Sequence, residues 1–87
     1  MKVNANTKTI VTPEIGVIQS FSVVDGGCFF TLCHIKREDI YKLYADNPTL
    51  VGRPVYFYPT PRLIHVFPKT DKKYKMVLRY FPPMVEI

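Results

Sequence analysis

Proline spacing constrains this chain more than any other feature. Eight of the 87 residues are proline, and Pro13, Pro48, Pro59, Pro61, Pro68 and the Pro82-Pro83 pair cut the chain into short pieces. A proline has no ladder donor and pushes the residue before it out of the α region. Short strands joined by turns fit such punctuation better than long helices. From Glu14 to Val24, Ile15, Val17, Phe21 and Val23 alternate with Gly16, Ser20 and Ser22, the period-two pattern of a half-buried strand, blurred only at Ile18 and Gln19. Asp25-Gly26-Gly27 supplies residues that tolerate positive φ in a tight hairpin turn, and Cys28 to Ile35 resumes as a second strand paired with the first. Thr7 to Thr12 forms a further strand before Pro13. Lys36 to Ala45 reads as the one helix, with Ile40, Leu43 and Tyr44 at i, i+3 and i+4 and a wet face of Arg37, Glu38, Asp39 and Lys42; Asp46-Asn47-Pro48 ends it. Pro54 to Tyr58, Arg62 to Phe67 and Tyr74 to Phe81 complete the chain as three β segments.

The expected architecture is a single small domain over residues 1–87, mainly β with one short helix. Its strands are short and locally connected, which fits a small curved antiparallel sheet or a partly open barrel. A chain of this length buries only about 60% of the surface its unfolded form exposes. Most apolar residues must therefore serve the core, and a binding surface is favoured over a deep catalytic pocket.

Charge is distributed unevenly. Through residue 50, Lys2, Lys8, Lys36, Arg37 and Lys42 are balanced by Glu14, Asp25, Glu38, Asp39 and Asp46. Beyond it, Arg53, Arg62, Lys69, Lys72, Lys73, Lys75 and Arg79 face only Asp71 and Glu86, so the whole net charge of +5 lies in that half. A one-sided positive field attracts polyanions, of which nucleic acid is the commonest inside cells. Strand alternation in the same half sends Val55 and Phe57 to one side and Tyr56 and Tyr58 to the other, with the apolar pair inward. Tyr74, Met76, Leu78 and Tyr80 form a core face, leaving Lys75 and Arg79 outside. Alignment of Tyr56 and Tyr58 with Lys75, Arg79 and one of Arg62 or His65 would make an aromatic platform framed by cations, and Arg53, Lys72 and Lys73 complete the candidate nucleic-acid-binding set. Unpaired bases stack on such rings while cations follow the phosphates. The competing reading places Tyr56 and Tyr58 under a neighbouring strand or the helix, with their hydroxyls at the rim.

The stretch Gly16-Val17-Ile18-Gln19-Ser20-Phe21 resembles the first strand of OB-fold domains of the cold-shock and ribosomal-repeat kinds. Phe29-Phe30-Thr31-Leu32, His34-Ile35 and the later Leu50-Val51-Gly52-Arg53-Pro54-Val55-Tyr56-Phe57 are similar to their following segments. The resemblance covers about half the chain, and the glycine-aromatic-glycine-aromatic motif of cold-shock domains is missing. It implies an OB-like barrel and the general idea that strand aromatics hold a single strand.

Catalytic and metal chemistry find no support in the sequence. Cys28 and Cys33 have no second pair at zinc-finger spacing and read as small buried hydrophobes, and neither they nor His34 and His65 suggest a metal site. No phosphate-binding glycine loop follows Gly26-Gly27, and no cofactor is expected. No apolar run nears the roughly 18 residues that cross a bilayer, and Met1 to Thr7 lacks the apolar core of a secretory signal. These features lead to the expectation of a cytoplasmic, non-catalytic module for single-stranded nucleic acid, an accessory to a larger replication or RNA-processing enzyme. The alternative is a protein-interaction module, an accessory subunit or inhibitor from a mobile element. It would dock on a partner or a second copy through a strand edge or the tail Phe81 to Ile87.

Overall fold

A computed structural model describes residues 2–82. In chain order its elements are β1 (Lys2–Val3), β2 (Thr9–Val11), β3 (Val17–Asp25), β4 (Cys28–Thr31), β5 (Cys33–His34), α1 (Arg37–Asp46), β6 (Val51–Gly52), β7 (Tyr56–Pro59), β8 (Leu63–Phe67), β9 (Lys69–Thr70) and β10 (Tyr74–Phe81). They build one sheet of order β1-β10-β3-β4, a second of order β2-β8-β7-β5, and a small β6-β9 ladder. Over the described residues the protein is thus mainly β with one helix, in mostly antiparallel sheets that do not close into a barrel. Between the two larger sheets lies the core, where the rings of Phe21 from β3 and Phe57 from β7 meet edge to face at 5.4 Å. Val23, Leu32, Ile64, Val66, Tyr74 and Met76 pack around them.

The β3-β4 hairpin follows from its turn. Asp25 pairs with Cys28 across Gly26 and Gly27, whose φ angles are +59° and +80°. Two consecutive left-handed residues match the twist of the flanking strands. Gly27→Ala is therefore expected to cost about 1–2 kcal/mol through backbone strain, since a Cβ at that site would meet no neighbour. Urea unfolding of the variant measures it.

Further along β3 the register with β10 shifts. Arg79 pairs with Ser20 and Tyr80 with Ile18, so Gln19 is bulged out. The bulge explains the blurred alternation: beyond it Ile18 packs towards the core, whereas Val17, expected inside, is 63% exposed. Chain direction changes again at Leu32. Its N–H donates to the Phe21 carbonyl (2.9 Å), and the next N–H, of Cys33, donates to the carbonyl of Val55, the residue just before β7 of the other sheet (2.8 Å). The chain then crosses through α1 and returns with β7 parallel to β5. A helical crossover is the usual way to join parallel neighbours, and this pair, like β6-β9, is a parallel addition to the expected antiparallel sheet.

Helix α1 begins one residue later than its sequence pattern and ends at Asp46. Both the backbone N–H and the side-chain amide of Asn47 donate to the Leu43 carbonyl, at 3.0 and 3.1 Å. Ile40 is fully buried. Tyr44 donates its hydroxyl to the Val66 carbonyl and sets its ring edge-on to Phe67 at 5.0 Å, which docks the helix on the outer side of β7 and β8.

Thr70, also fully buried, ties down the N-terminal segment. Its hydroxyl donates to the Asn4 carbonyl at 2.5 Å and accepts from the Thr7 N–H at 2.9 Å. That clamp lets β1 add to the edge of β10, pairing Lys2 with Lys75.

Two expectations are corrected. Val55 is 42% exposed rather than inward beside Phe57, because the strand begins only at Tyr56. Cys28 and Cys33 are exposed, not buried: Cys28 directly follows the hairpin turn, and Cys33 lies on the edge strand of its sheet.

Candidate nucleic-acid interface

The outer face of the β2-β8-β7-β5 sheet carries the tyrosines. Tyr56 lies opposite Phe67 and Tyr58 opposite His65, and directly opposed residues of an antiparallel pair share a face. Helix α1 packs on that face. Tyr58 stacks on His65 at 5.9 Å, Tyr41 meets His65 edge-on at 6.3 Å, and the Arg37 guanidinium sits 5.7 Å from the Tyr41 ring. Asp39 borders both the groove beside Tyr58 and the one beside Tyr56. The rings of Tyr56 and Tyr58 are half-buried against helix and neighbour, the competing arrangement weighed from the sequence, and carboxylates stand beside them.

The cations expected around those rings are distributed elsewhere. Asp25 draws in Lys72 at 3.1 Å and Arg53 at 4.0 Å, and the Arg53 guanidinium also lies 3.6 Å from the Phe30 ring centroid. Arg62 pairs with Glu14 at 3.9 Å. Lys73 is exposed in the turn before β10. Lys75 and Arg79 occupy the outer face of the other sheet. The nine residues singled out from the sequence are thus split: Tyr56, Tyr58 and His65 against α1, Arg53 and Lys72 on Asp25, Arg62 on Glu14, Lys73 in its turn, and Lys75 with Arg79 across the core from the tyrosines.

The face holding Lys75 and Arg79 is a coherent surface. Across its strands run the rows Lys2-Lys75-Val24-Phe29, Val77-Ser22-Thr31, Arg79-Ser20 and Phe81-Val17. A 3.5 Å contact between the Ser22 and Thr31 hydroxyls marks their common side. Phe29 is 67% and Phe81 57% exposed. Lys2, Lys75 and Arg79 are exposed, and Asp25, with its two cations, belongs to the inward parity of β3. None of the residues in these rows is acidic, and α1 packs on the opposite sheet. Lys75 and Arg79 are four residues apart on one strand, about 14 Å, far enough to contact different phosphates of one backbone.

Phe29, Phe81 and Lys2 are not among the nucleic-acid-binding residues expected from the sequence. A signal for Phe29 existed: the two-residue Gly26-Gly27 turn pairs Val24 with Phe29 and Val23 with Phe30, and an inward Val23 sends Phe29 out. Lys2 had no such signal, since its place depends on the Thr70 clamp, remote in sequence.

Near the Asp25 cluster, the buried Tyr74 donates its hydroxyl to Asp71 at 2.5 Å. That bond holds the Asp71 carboxyl below its ordinary value of 3.8. Burial first, and then the Asp71 bond, push Tyr74 up to about 12; burial alone pushes Tyr44 to about 12. Both tyrosines stay neutral in the fold above the ordinary 10.0, so the stability they lend is complete below pH 10 and is lost as pH rises towards 12. For Asp71 the sign is opposite: its contribution is present above pH 3.8 and lost as pH falls below its folded value. Melting temperatures across pH are expected to decline at both ends, and Tyr74→Phe should weaken both declines.

Comparison with known proteins finds no matching family model, curated protein or solved structure. Among the described residues no helix is long and apolar enough to cross a membrane, and no cluster of three or more potential metal ligands occurs.

Proposed function

We propose that the protein is a non-catalytic binding module for single-stranded nucleic acid, and that the strand lies across the outer face of β10, β3 and β4. One observation carries this reading: Lys2, Lys75 and Arg79 share an open sheet face with the exposed rings of Phe29 and Phe81, and the rows of that face contain no carboxylate. Sheet rings offer stacking worth about 1–3 kcal/mol per base, which duplex DNA, with its base faces covered, cannot use. Lysine and arginine tips beside them neutralise phosphates and release counterions. The tyrosine platform read from the sequence gives way here to a different sheet, while the physical logic of rings interleaved with cations is kept.

Fluorescence anisotropy with a labelled single strand, its duplex and an RNA of the same sequence, each at low and moderate salt, tests the reading. Preference for the single strands, weakening steeply with salt, is expected. Equal affinity for all three would leave only a basic surface, and no binding at low salt would refute the proposal. The alternative, docking on another protein, draws on the outer edge of β4 beside Phe29, which no described strand pairs with. The rest of the tail proposed for that role, residues 83–87, lies outside the described residues.

A further inference from the structure

Where the chain peels from β4 into β5, a cleft opens beside the proposed face. The β3-β4 ladder ends at the Ser22-Thr31 pair, while β3 continues back to Val17. From Val17 to Ser20, β3 therefore has β10 on one side and, among the described residues, no strand on the other. The cleft between this free edge and β5-β7 has a volume of about 600 Å³, within the roughly 300–1,000 Å³ of small-molecule sites. Phe21, Leu32 and Phe57 give it an apolar floor. Its rim holds Gln19, Thr31 and His34, and the His34 imidazole is stacked on Phe57 at 5.2 Å, 21° from parallel.

We infer that this cleft receives a single nucleobase, turned out of a strand that crosses the neighbouring sheet face. The inference rests on the proposed function, and three features select this occupant. A base is a flat apolar plate with a polar edge, and the cleft has an apolar floor with a polar margin. Gln19 carries both amide donors and an amide acceptor, and the free edge of β3 adds backbone groups, so the margin can satisfy a Watson–Crick edge. The Gln19 bulge turns this exposed side chain to the rim, a common use of bulges beside binding sites. Finally, cleft and face are continuous. Ser20 and Thr31 belong to both, and Ser20 lies directly opposite Arg79, so a phosphate held by Arg79 would bring its sugar and base to the mouth of the cleft.

The face stacks bases without regard to identity, whereas the cleft selects among them. Oligothymidine, oligoadenine, oligocytidine and an abasic strand of equal length, titrated at one salt concentration, are expected to differ. The best of the three base-bearing strands should bind about fivefold or more above the poorest, the fold-change of one base gained or lost in the cleft, while all three exceed the abasic strand. Gln19→Leu, at an exposed position, should compress the differences among bases while leaving the abasic affinity unchanged. In parallel, free nucleosides added to the intact protein should shift the His34 ring and Gln19 amide resonances saturably. If the three base-bearing strands bind with equal affinity, all above the abasic strand, and nucleosides shift neither residue, the cleft is not a base site and the sheet-face reading stands; equal affinity for the abasic strand as well would remove stacking from both. If no strand binds yet nucleosides shift both residues, the sheet-face reading fails and the cleft remains a base site. Absence of both responses overturns both, and shifts caused by an extended peptide but by no nucleoside would reassign the free edge of β3 to a protein partner.

Discussion

Replacing Lys75 and Arg79 together by alanine is expected to lower the salt dependence of single-strand binding by about 1.4 in the slope of log affinity against log salt. Each phosphate contact on a single strand contributes about 0.7 to that slope, and the two side chains stand on separate rows of the face. Affinity at low salt should drop about tenfold or more. The melting temperature should stay within a few degrees, because both side chains are exposed and surface substitutions away from packing features are usually within about 0.5 kcal/mol. Two controls give the result its meaning. Arg62→Ala removes a cation whose described partner is Glu14 across an exposed 3.9 Å pair, and it should leave the slope unchanged. Tyr58→Leu removes a ring stacked on His65 and flanked by the helix, and it should leave single-strand affinity within about twofold, since no stacked base is lost. An unchanged slope in the Lys75, Arg79 double variant, with a large loss in Tyr58→Leu, would return the site to the tyrosine face and refute the one proposed.

How much of this was legible beforehand depends on the range of the interactions involved. Local chemistry was readable. Gly26-Gly27 sets the hairpin, the spacing of Ile40, Leu43 and Tyr44 sets the helix, and alternation along β10 sends Tyr74 and Met76 inward and Lys75 and Arg79 outward. Even the blur at Ile18-Gln19 was a true signal, of a bulge rather than of a weak strand. Choosing which faces coincide was beyond that reading, because it depends on strand order. Alternation fixes which residues of β7 and of β10 leave the core, yet it does not say that β7 and β10 belong to different sheets. Their outward residues consequently point to opposite sides of the molecule. Charge arithmetic had the same blindness. Arg53 and Lys72 counted towards the positive half, but Asp25 from the neutral half takes up both, while Lys2 from that neutral half joins the basic face through β1.

Phe21→Ala is expected to be the most destabilising single change, and Phe29→Ala gives it a reference point. Both residues lie on the same β3-β4 hairpin, on opposite faces. Phe21 is 1% exposed and fills the space between the sheets against the edge of Phe57, so its truncation should cost about 3–5 kcal/mol through lost burial and the cavity left behind. A domain of this size has roughly 4–13 kcal/mol of total stability, so the loss is a large part of the whole and should lower the melting temperature by at least about 12 °C. Phe29, 67% exposed, removes little burial when truncated and should cost under about 0.5 kcal/mol. It should nonetheless weaken single-strand binding by about fivefold or more, the equivalent of one stacked base. Urea unfolding and anisotropy on the two variants therefore separate packing from recognition on one hairpin. A Phe21→Ala cost below about 1.5 kcal/mol would mean that the sheets do not pack across the Phe21-Phe57 pair. Unaltered binding by Phe29→Ala would leave the basic face with charge alone and no ring on which to seat a base.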